Sequence, residues 1–169
     1  MANTVAGQQE THTLIVLRHA HAGQGPGIPD AERELSERGI RDARRAASQL
    51  TPPDHVVCST ALRARQTWQQ LSSELAAPAG PAVDYEPRIY SADTATLLDL
   101  VRGTGDEIGT LLLVGHNPTV HEFAHALLAE EAPASFPPAS FAAIKLHGPW
   151  AELDQTRTRL AHSWTPPPA

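Results

Sequence analysis

Continuous apolar runs alternate with stretches of helical period along this chain. TLIVL (Thr13 to Leu17), HVVCS (His55 to Ser59) and TLLLVG (Thr110 to Gly115) carry apolar side chains at successive positions, the pattern of strands covered on both faces. After the first run comes a turn-rich loop, AGQGPGIPDAERE. The stretch from Ser36 to Leu50 then places Ile40, Ala43, Ala47 and Leu50 on one helical face, with Ser36 as its N-cap. Helical spacing also marks Ala61 to Leu75, Thr94 to Arg102 and Val120 to Leu128. The Pro-rich EAPASFPPAS leads into SFAAIKLHG and TRTRLAHSW, which read as a late strand pair forming a hairpin. Residues 1–12 are small and polar and the chain ends in TPPPA, so 1–12 and 165–169 are expected to be loose tails around a single domain, 13–164. Strands alternating with helices imply an α/β fold, with a mostly parallel central sheet between helical layers and an antiparallel addition at its end.

Composition narrows the setting. The 169 residues are 41% hydrophobic and 19% charged, enough for one domain with a sizeable core. A net charge of -6 and a pI near 5.8 argue against nucleic-acid or anionic-membrane partners, which want excess Lys and Arg. The arginines are then local tools. The single cysteine, Cys58, excludes an internal disulfide framework and suits a reducing cytoplasm. MANTVAGQQETHT has no apolar secretory core, and no apolar run approaches the ~20 residues of a membrane span. The expectation is a soluble, cytoplasmic protein. No signal for an oligomeric state is legible.

Ligands of open α/β sheets sit at the carboxyl ends of the strands. There the first apolar run delivers Arg18 and His19, the second is followed by TALRARQT with Arg63 in the first turn of a helix, and the third delivers His116. A cation at a helix N-terminus opposes a partial positive charge, a conflict that a shared anion resolves. Guanidinium grips phosphate oxygens bidentately, so Arg18 and Arg63 suit an oxyanion. Imidazole serves as nucleophile or proton carrier near neutrality. Taken singly, Arg63 reads equally well as a solvated member of RAR, and each His as structural. The remaining histidines (His12, His21, His55, His121, His125, His147 and His162) have no comparable context. His121 and His125 stand four apart on a helix, a spacing open to a metal but without HExxH around it. A metal at His19 and His21 is disfavoured by the adjacent arginine and by the lack of ligand spacing in Asp30, Glu32 and Glu34.

LIVLRHAHAG, CSTALRARQT and LLLVGHNP, in this order, resemble the histidine phosphatase superfamily, also called the phosphoglycerate-mutase-like fold. The short length and the RHA form of the first motif resemble its SixA-type branch of phosphohistidine phosphatases. The resemblance runs from Leu14 to Trp164 and includes ERELSERGIRDA and GPWAEL. It implies a three-layer sandwich and a phosphoryl transfer in which His19 is transiently phosphorylated. Arg18 and Arg63 clamp the equatorial oxygens, His116 donates a hydrogen bond to the phosphoryl group, and water completes hydrolysis. It implies no metal and no organic cofactor, and as partner a phosphorylated small molecule or a phosphohistidine protein.

The chain departs from the common pattern in places. Ala20 follows His19 where glycine is common, adding a Cβ near the pocket. His21 stands where Glu or Lys is common and reads as an exposed rim residue. The general acid of larger members aligns near DYEPRIYSAD, where Glu86 and Asp93 are both candidates. A phosphoramidate leaving group needs less acid assistance, so the role could be absent. The loop Gln24 to Glu34 and the segment Asp84 to Asp93 are expected to shape the mouth. Two further readings stand beside a metal-independent phosphatase: a non-catalytic phosphate-binding or interaction module, and a sugar-phosphate mutase. The mutase requires a substrate lid, for which the chain has no long insertion.

Overall fold

A computed structural model describes residues 10–75 and 80–168. One six-stranded sheet organises them: β1 (Thr11–Arg18), β2 (His55–Ser59), β3 (Ala82–Glu86), β4 (Thr110–Gly115), β5 (Phe141–His147) and β6 (Thr158–Trp164), in the spatial order β3-β2-β4-β1-β5-β6. The first four pair in parallel, whereas β5 and β6 add antiparallel to β1. The helices are α1 (Glu37–Ala47), α2 (Leu62–Glu74), α3 (Thr94–Arg102) and α4 (Thr119–Leu128).

The period-2 geometry of a strand splits each apolar run between two cores. Leu14 and Val16 of β1, with Leu111 and Leu113 of β4, face α3 and α4 through Leu97, Val101, Phe123 and Leu127. Ile15 and Leu17, with Leu112 and Val114, face α1 and α2 through Ala46, Trp68 and Leu71. The strands read as continuously apolar because both faces are covered. The result is the three-layer α/β sandwich, and it leaves the carboxyl ends of β2, β4 and β1 side by side.

Several boundaries differ from the sequence reading. β1 starts at Thr11, inside the stretch expected as a tail, because His12 is buried there. Its Nδ1 and Nε2 lie 2.8 and 3.0 Å from the carbonyls of Gly148 and Asp106, and its ring packs on Trp150. Residues 1–9 and Ala169 lie outside the described residues. Pro166 is buried, and Thr165 accepts a hydrogen bond from Ser140, so the final segment docks on the body where it is described. The sequence reading also missed β3. AVDYE lacks an apolar run because β3 is an edge strand, half solvated and paired only with β2. On α1 the buried face is Gly39, Asp42, Ala43, Ala46 and Ala47; Ile40 is only half-buried, and Leu50 follows the helix end. No helix among the described residues is long and apolar enough to cross a membrane.

α1 is seated directly on the strand end that carries His19. Ser36 caps it, accepting from Gly39 N–H at 3.1 Å and donating to the His21 carbonyl at 3.2 Å. A Cβ on Gly39 would stand 2.1 Å from that carbonyl oxygen, which is backbone and has nowhere to go. Gly39→Ala should therefore cost about 1–3 kcal/mol through overpacking, a fall in Tm of roughly 2–12 °C for a domain of this size. Thermal unfolding at unchanged Tm would show that α1 is not held at this separation.

Candidate active site

Three strand ends supply the chemistry. β1 continues one residue past its last ladder position, with His19 N–H donating to the Gly115 carbonyl at 3.0 Å, and the chain then turns away. Ala139, held at φ 69°, donates its N–H to the carbonyls of both Arg18 and His19. A non-glycine residue in this left-handed region is strained and persists only where its surroundings impose it. Here the Pro-rich segment is pinned against the end of β1. Arg18 reaches back into the same segment, donating from Nη1 to the Phe136 carbonyl at 3.0 Å, while its Nε is buried without a partner.

His19 is buried, 8% exposed. Its Nδ1 donates to the Ala20 carbonyl at 2.8 Å, which puts the proton on Nδ1 and leaves the Nε2 lone pair free. That lone pair faces the Nε–H of Arg63 at 3.4 Å. Burial pushes the His19 pKa down to about 3, helped by the neighbouring His116, Arg63 and Arg18 and opposed by the Ala20 hydrogen bond. His19 is thus a neutral imidazole at physiological pH.

Arg63 sits in the first turn of α2, as the sequence reading expects, and no side chain caps that turn. It is buried, and its Nη2 lies 3.4 Å from Nδ1 of His116. Because guanidinium only donates, Nδ1 of His116 accepts. The proton of that neutral ring is then on Nε2, 2.7 Å from the Ser59 hydroxyl at the end of β2. Burial, followed by Arg63, lowers the His116 pKa to about 4. The His19 and His116 rings lie 5.1 Å apart. All four expected residues, Arg18, His19, Arg63 and His116, line one polar cavity of about 290 Å³, together with His21, Arg33 and Asn117.

The departures from the common pattern have local explanations. Ala20 is fully buried, packed with Ala43 and Ala139, so its Cβ fills the α1 junction rather than the cavity. His21 is half-buried rather than simply exposed. Its Nδ1 is 2.7 Å from the Ser36 hydroxyl, which ties the cavity wall to the cap of α1. Neither acid candidate lines the cavity. Glu86 faces a separate cleft of about 400 Å³ at the β3 edge and grips Arg88 through both carboxylate oxygens. Asp93 caps α3, accepting from Thr96 N–H and hydroxyl at 2.8 Å each. Those hydrogen bonds hold both carboxyls below the usual range, so both are ionised.

Asp30, weighed in the sequence only as a metal ligand, and Tyr90, not singled out there, both fall in the segments expected to shape the mouth and both lie against Arg63. Asp30, in a 3-10 turn of the loop (Asp30–Glu32), accepts from Arg63 through its carbonyl at 2.7 Å and its Oδ2 at 3.1 Å. Tyr90 donates to the same Oδ2 and packs edge-on against His116, with ring centroids 5.6 Å apart. The Tyr90 hydrogen bond, with those from Arg63 and Arg33, lowers the Asp30 pKa to about 2. The sequence marks their segments but not their contact with Arg63, since each acquires its place through a loop. Among the described residues, no group of three or more His, Cys, Asp and Glu is clustered as a metal site.

Comparison with known proteins agrees with this geometry. Residues 14–88 match the family model of the histidine phosphatase superfamily (branch 1). An uncharacterized protein of Mycobacterium tuberculosis is 36% identical over 151 residues, covering 82% of this chain and 92% of its own. Among solved structures, a candidate phosphohistidine phosphatase SixA of Agrobacterium tumefaciens is 31% identical at TM-score 0.77, over 92% of this chain and 99% of that one. Its counterpart from Nakamurella multipartitia is 29% identical at TM-score 0.81, covering 92% and 96%. Kinship at this level, spanning nearly the whole fold and not only its pocket, means that the chain belongs to the histidine phosphatase superfamily, as a phosphatase of the SixA-type branch.

Proposed function

We propose that this phosphatase acts without a metal through a covalent phosphohistidine at His19, on phosphohistidine in a protein or on a small phosphomonoester. The observation that carries this reading is the unprotonated Nε2 of His19, buried and aimed at Arg63 in a cavity also lined by Arg18 and His116. In the first step the Nε2 lone pair attacks phosphorus, the bond to the leaving oxygen or nitrogen breaks, and that atom keeps the electron pair. Arg63 and Arg18 stabilise the charge on the equatorial oxygens. His116 hydrogen-bonds a phosphoryl oxygen through Nδ1 in its other neutral tautomer, in which Nε2 has released its proton to water and Nδ1 has taken one from water, and the Ser59 hydroxyl then turns to donate to Nε2. In the second step water attacks phosphorus, the P–N bond breaks, and phosphate leaves with His19 neutral again.

A phosphoramidate substrate fits best. The two carboxylates weighed as general acid are ionised and engaged outside the cavity. An N-linked phosphoryl departs readily once the far nitrogen of the leaving ring is protonated, and so needs no strong acid from the protein. SixA-type relatives bear the name phosphohistidine phosphatase, which supports the same substrate class. The setting we infer is cytoplasmic, consistent with a free, buried Cys58 whose thiol pKa burial pushes up to about 12.

Hydrolysis of p-nitrophenyl phosphate and of a phosphohistidine protein is expected to survive EDTA and to be blocked by vanadate. His19→Ala should lose on the order of 10³-fold or more in kcat, and Arg63→Ala on the order of 10²–10³-fold. Acid-labile phosphate on His19 should be trapped in a rapid quench. Unchanged phosphate release in the His19 variant points to the non-catalytic reading, loss to EDTA to a metallohydrolase, and phosphate migration between sugar positions to the mutase.

The neutral histidines also set a pH dependence of stability. Their native pKa values, about 3 and about 4, lie below the ordinary 6.5. Between those limits the unfolded chain binds more protons, so stability is fully present above ~6.5 and is lost as pH falls toward 4. His19→Gln removes one such group. Its denaturation free energy should fall less steeply than that of the natural chain between pH 6.5 and 4, and identical slopes would refute a buried neutral His19.

A further inference from the structure

Arg63 is held on two edges at once. Its Nε and Nη2 face the two imidazoles, each at 3.4 Å. Its Nη1 and the second hydrogen of Nη2 are taken by the Asp30 carbonyl at 2.7 Å and carboxylate at 3.1 Å. Guanidinium is a rigid plane, so fixing one edge fixes where the other points. Asp30 is itself braced from both sides, by Tyr90 hydroxyl on Oδ2 and by Arg33 Nε on Oδ1 at 3.0 Å. The Arg63 guanidinium also lies 5.9 Å over the Tyr90 ring. Arg63 is 7% exposed, but Asp30 stands in solvent at 55%. The orientation of a buried cation is therefore set from the surface loop at the mouth.

We propose that Asp30, braced by Tyr90, is a positioning residue that holds the outer edge of Arg63 so that its inner edge is presented to the phosphoryl group. This rests on the phosphatase reading for its kinetic consequences, though not for its geometry. The incoming oxyanion replaces the imidazole contacts of the inner edge, while the Asp30 contacts persist. Competition of Asp30 with substrate for Arg63, the opposite role on the same contacts, predicts effects of the opposite sign.

Asp30→Ala, Asp30→Asn, Tyr90→Phe and Asp30→Ala combined with Tyr90→Phe or Arg63→Ala test this, in the full chain with melting curves as a folding check. On p-nitrophenyl phosphate, kcat should fall on the order of 10–100-fold in Asp30→Ala, since misplacement of an aligned group by about 1 Å costs up to ~10². Tyr90→Phe should show a smaller loss, and Asp30→Asn, which retains an acceptor of the same size, should lie between Asp30→Ala and the natural chain. Adding Tyr90→Phe to Asp30→Ala should cost nothing further, and Asp30→Ala should be silent once Arg63 is alanine. Tungstate affinity, measured by titration calorimetry, should weaken in Asp30→Ala and not in the Arg63→Ala background. Tighter tungstate binding or a lower KM in Asp30→Ala would overturn positioning in favour of competition. Unchanged kcat, or losses that multiply across the Asp30 and Arg63 variants, would overturn it outright. If the natural chain hydrolyses neither substrate, the phosphatase reading fails, while the tungstate comparison still decides the role of Asp30.

Discussion

An imidazole attacks phosphorus only while it is neutral, yet the cations that draw phosphate toward it must stand beside it. The structure meets this constraint by burying His19 against the end of β1, tying its Nδ1 proton to the next carbonyl, and setting Arg63 against Nε2. Desolvation and positive neighbours act in the same direction on the ring, each disfavouring imidazolium. What would be a poor place for a charged histidine is a good place for an uncharged one. Burial supplies most of that neutrality, and the two arginines that add to it are the ones proposed to hold phosphate.

The rest of the fold supplies the reach that this arrangement needs. His19, Arg63 and His116 are separated by 44 and 53 residues in sequence, and parallel pairing brings their strands to one edge. The register of β1 on β4 places Arg18 opposite Gly115, so His19 and His116 leave the sheet at the same level. α1, seated on the His21 carbonyl through Ser36 and Gly39, and the Pro-rich segment, pinned through Ala139, close on the strand end from two sides. Backbone carbonyls receive most of these contacts, and they leave His19 Nε2 and the inner edge of Arg63 facing the cavity.

This division explains what was legible in the sequence. The apolar runs of β1, β2 and β4 are covered on both faces, which makes them readable. The residues just past their ends were therefore placeable, and Arg18, His19, Arg63 and His116 do share one cavity. β3 was missed because an edge strand has no such run. Ala20 looked like an intrusion on the pocket because one sequence cannot show that Ala43 and Ala139 wait to receive its Cβ. Tyr90 was not singled out, and Asp30 was weighed only as a metal ligand, because their meeting depends on loop conformation; the carboxylates taken as acid candidates, Glu86 and Asp93, spend their hydrogen bonds on local turns and caps. Periodicity reports burial, and it is silent where geometry is set by irregular backbone.

The same asymmetry bears on specificity. The inner cavity is built from strand ends and helix starts, elements that tolerate little change in position. Its outer wall includes loop residues Gln24 and Arg33, and behind Arg63 stands a second loop pair, Asp30 with Tyr90, the latter following a 3-10 turn. A charge network that crosses this boundary couples the two: Asp30 touches the loop partner Arg33, the rim phenol of Tyr90 and the buried Arg63 at once. Loops vary more readily than sheets, so substrate preference in such a fold can shift at the mouth while the phosphoryl chemistry stays where the strands put it. The limit on that freedom is Arg63, because a loop that abandons Asp30 must find another way to aim the cation.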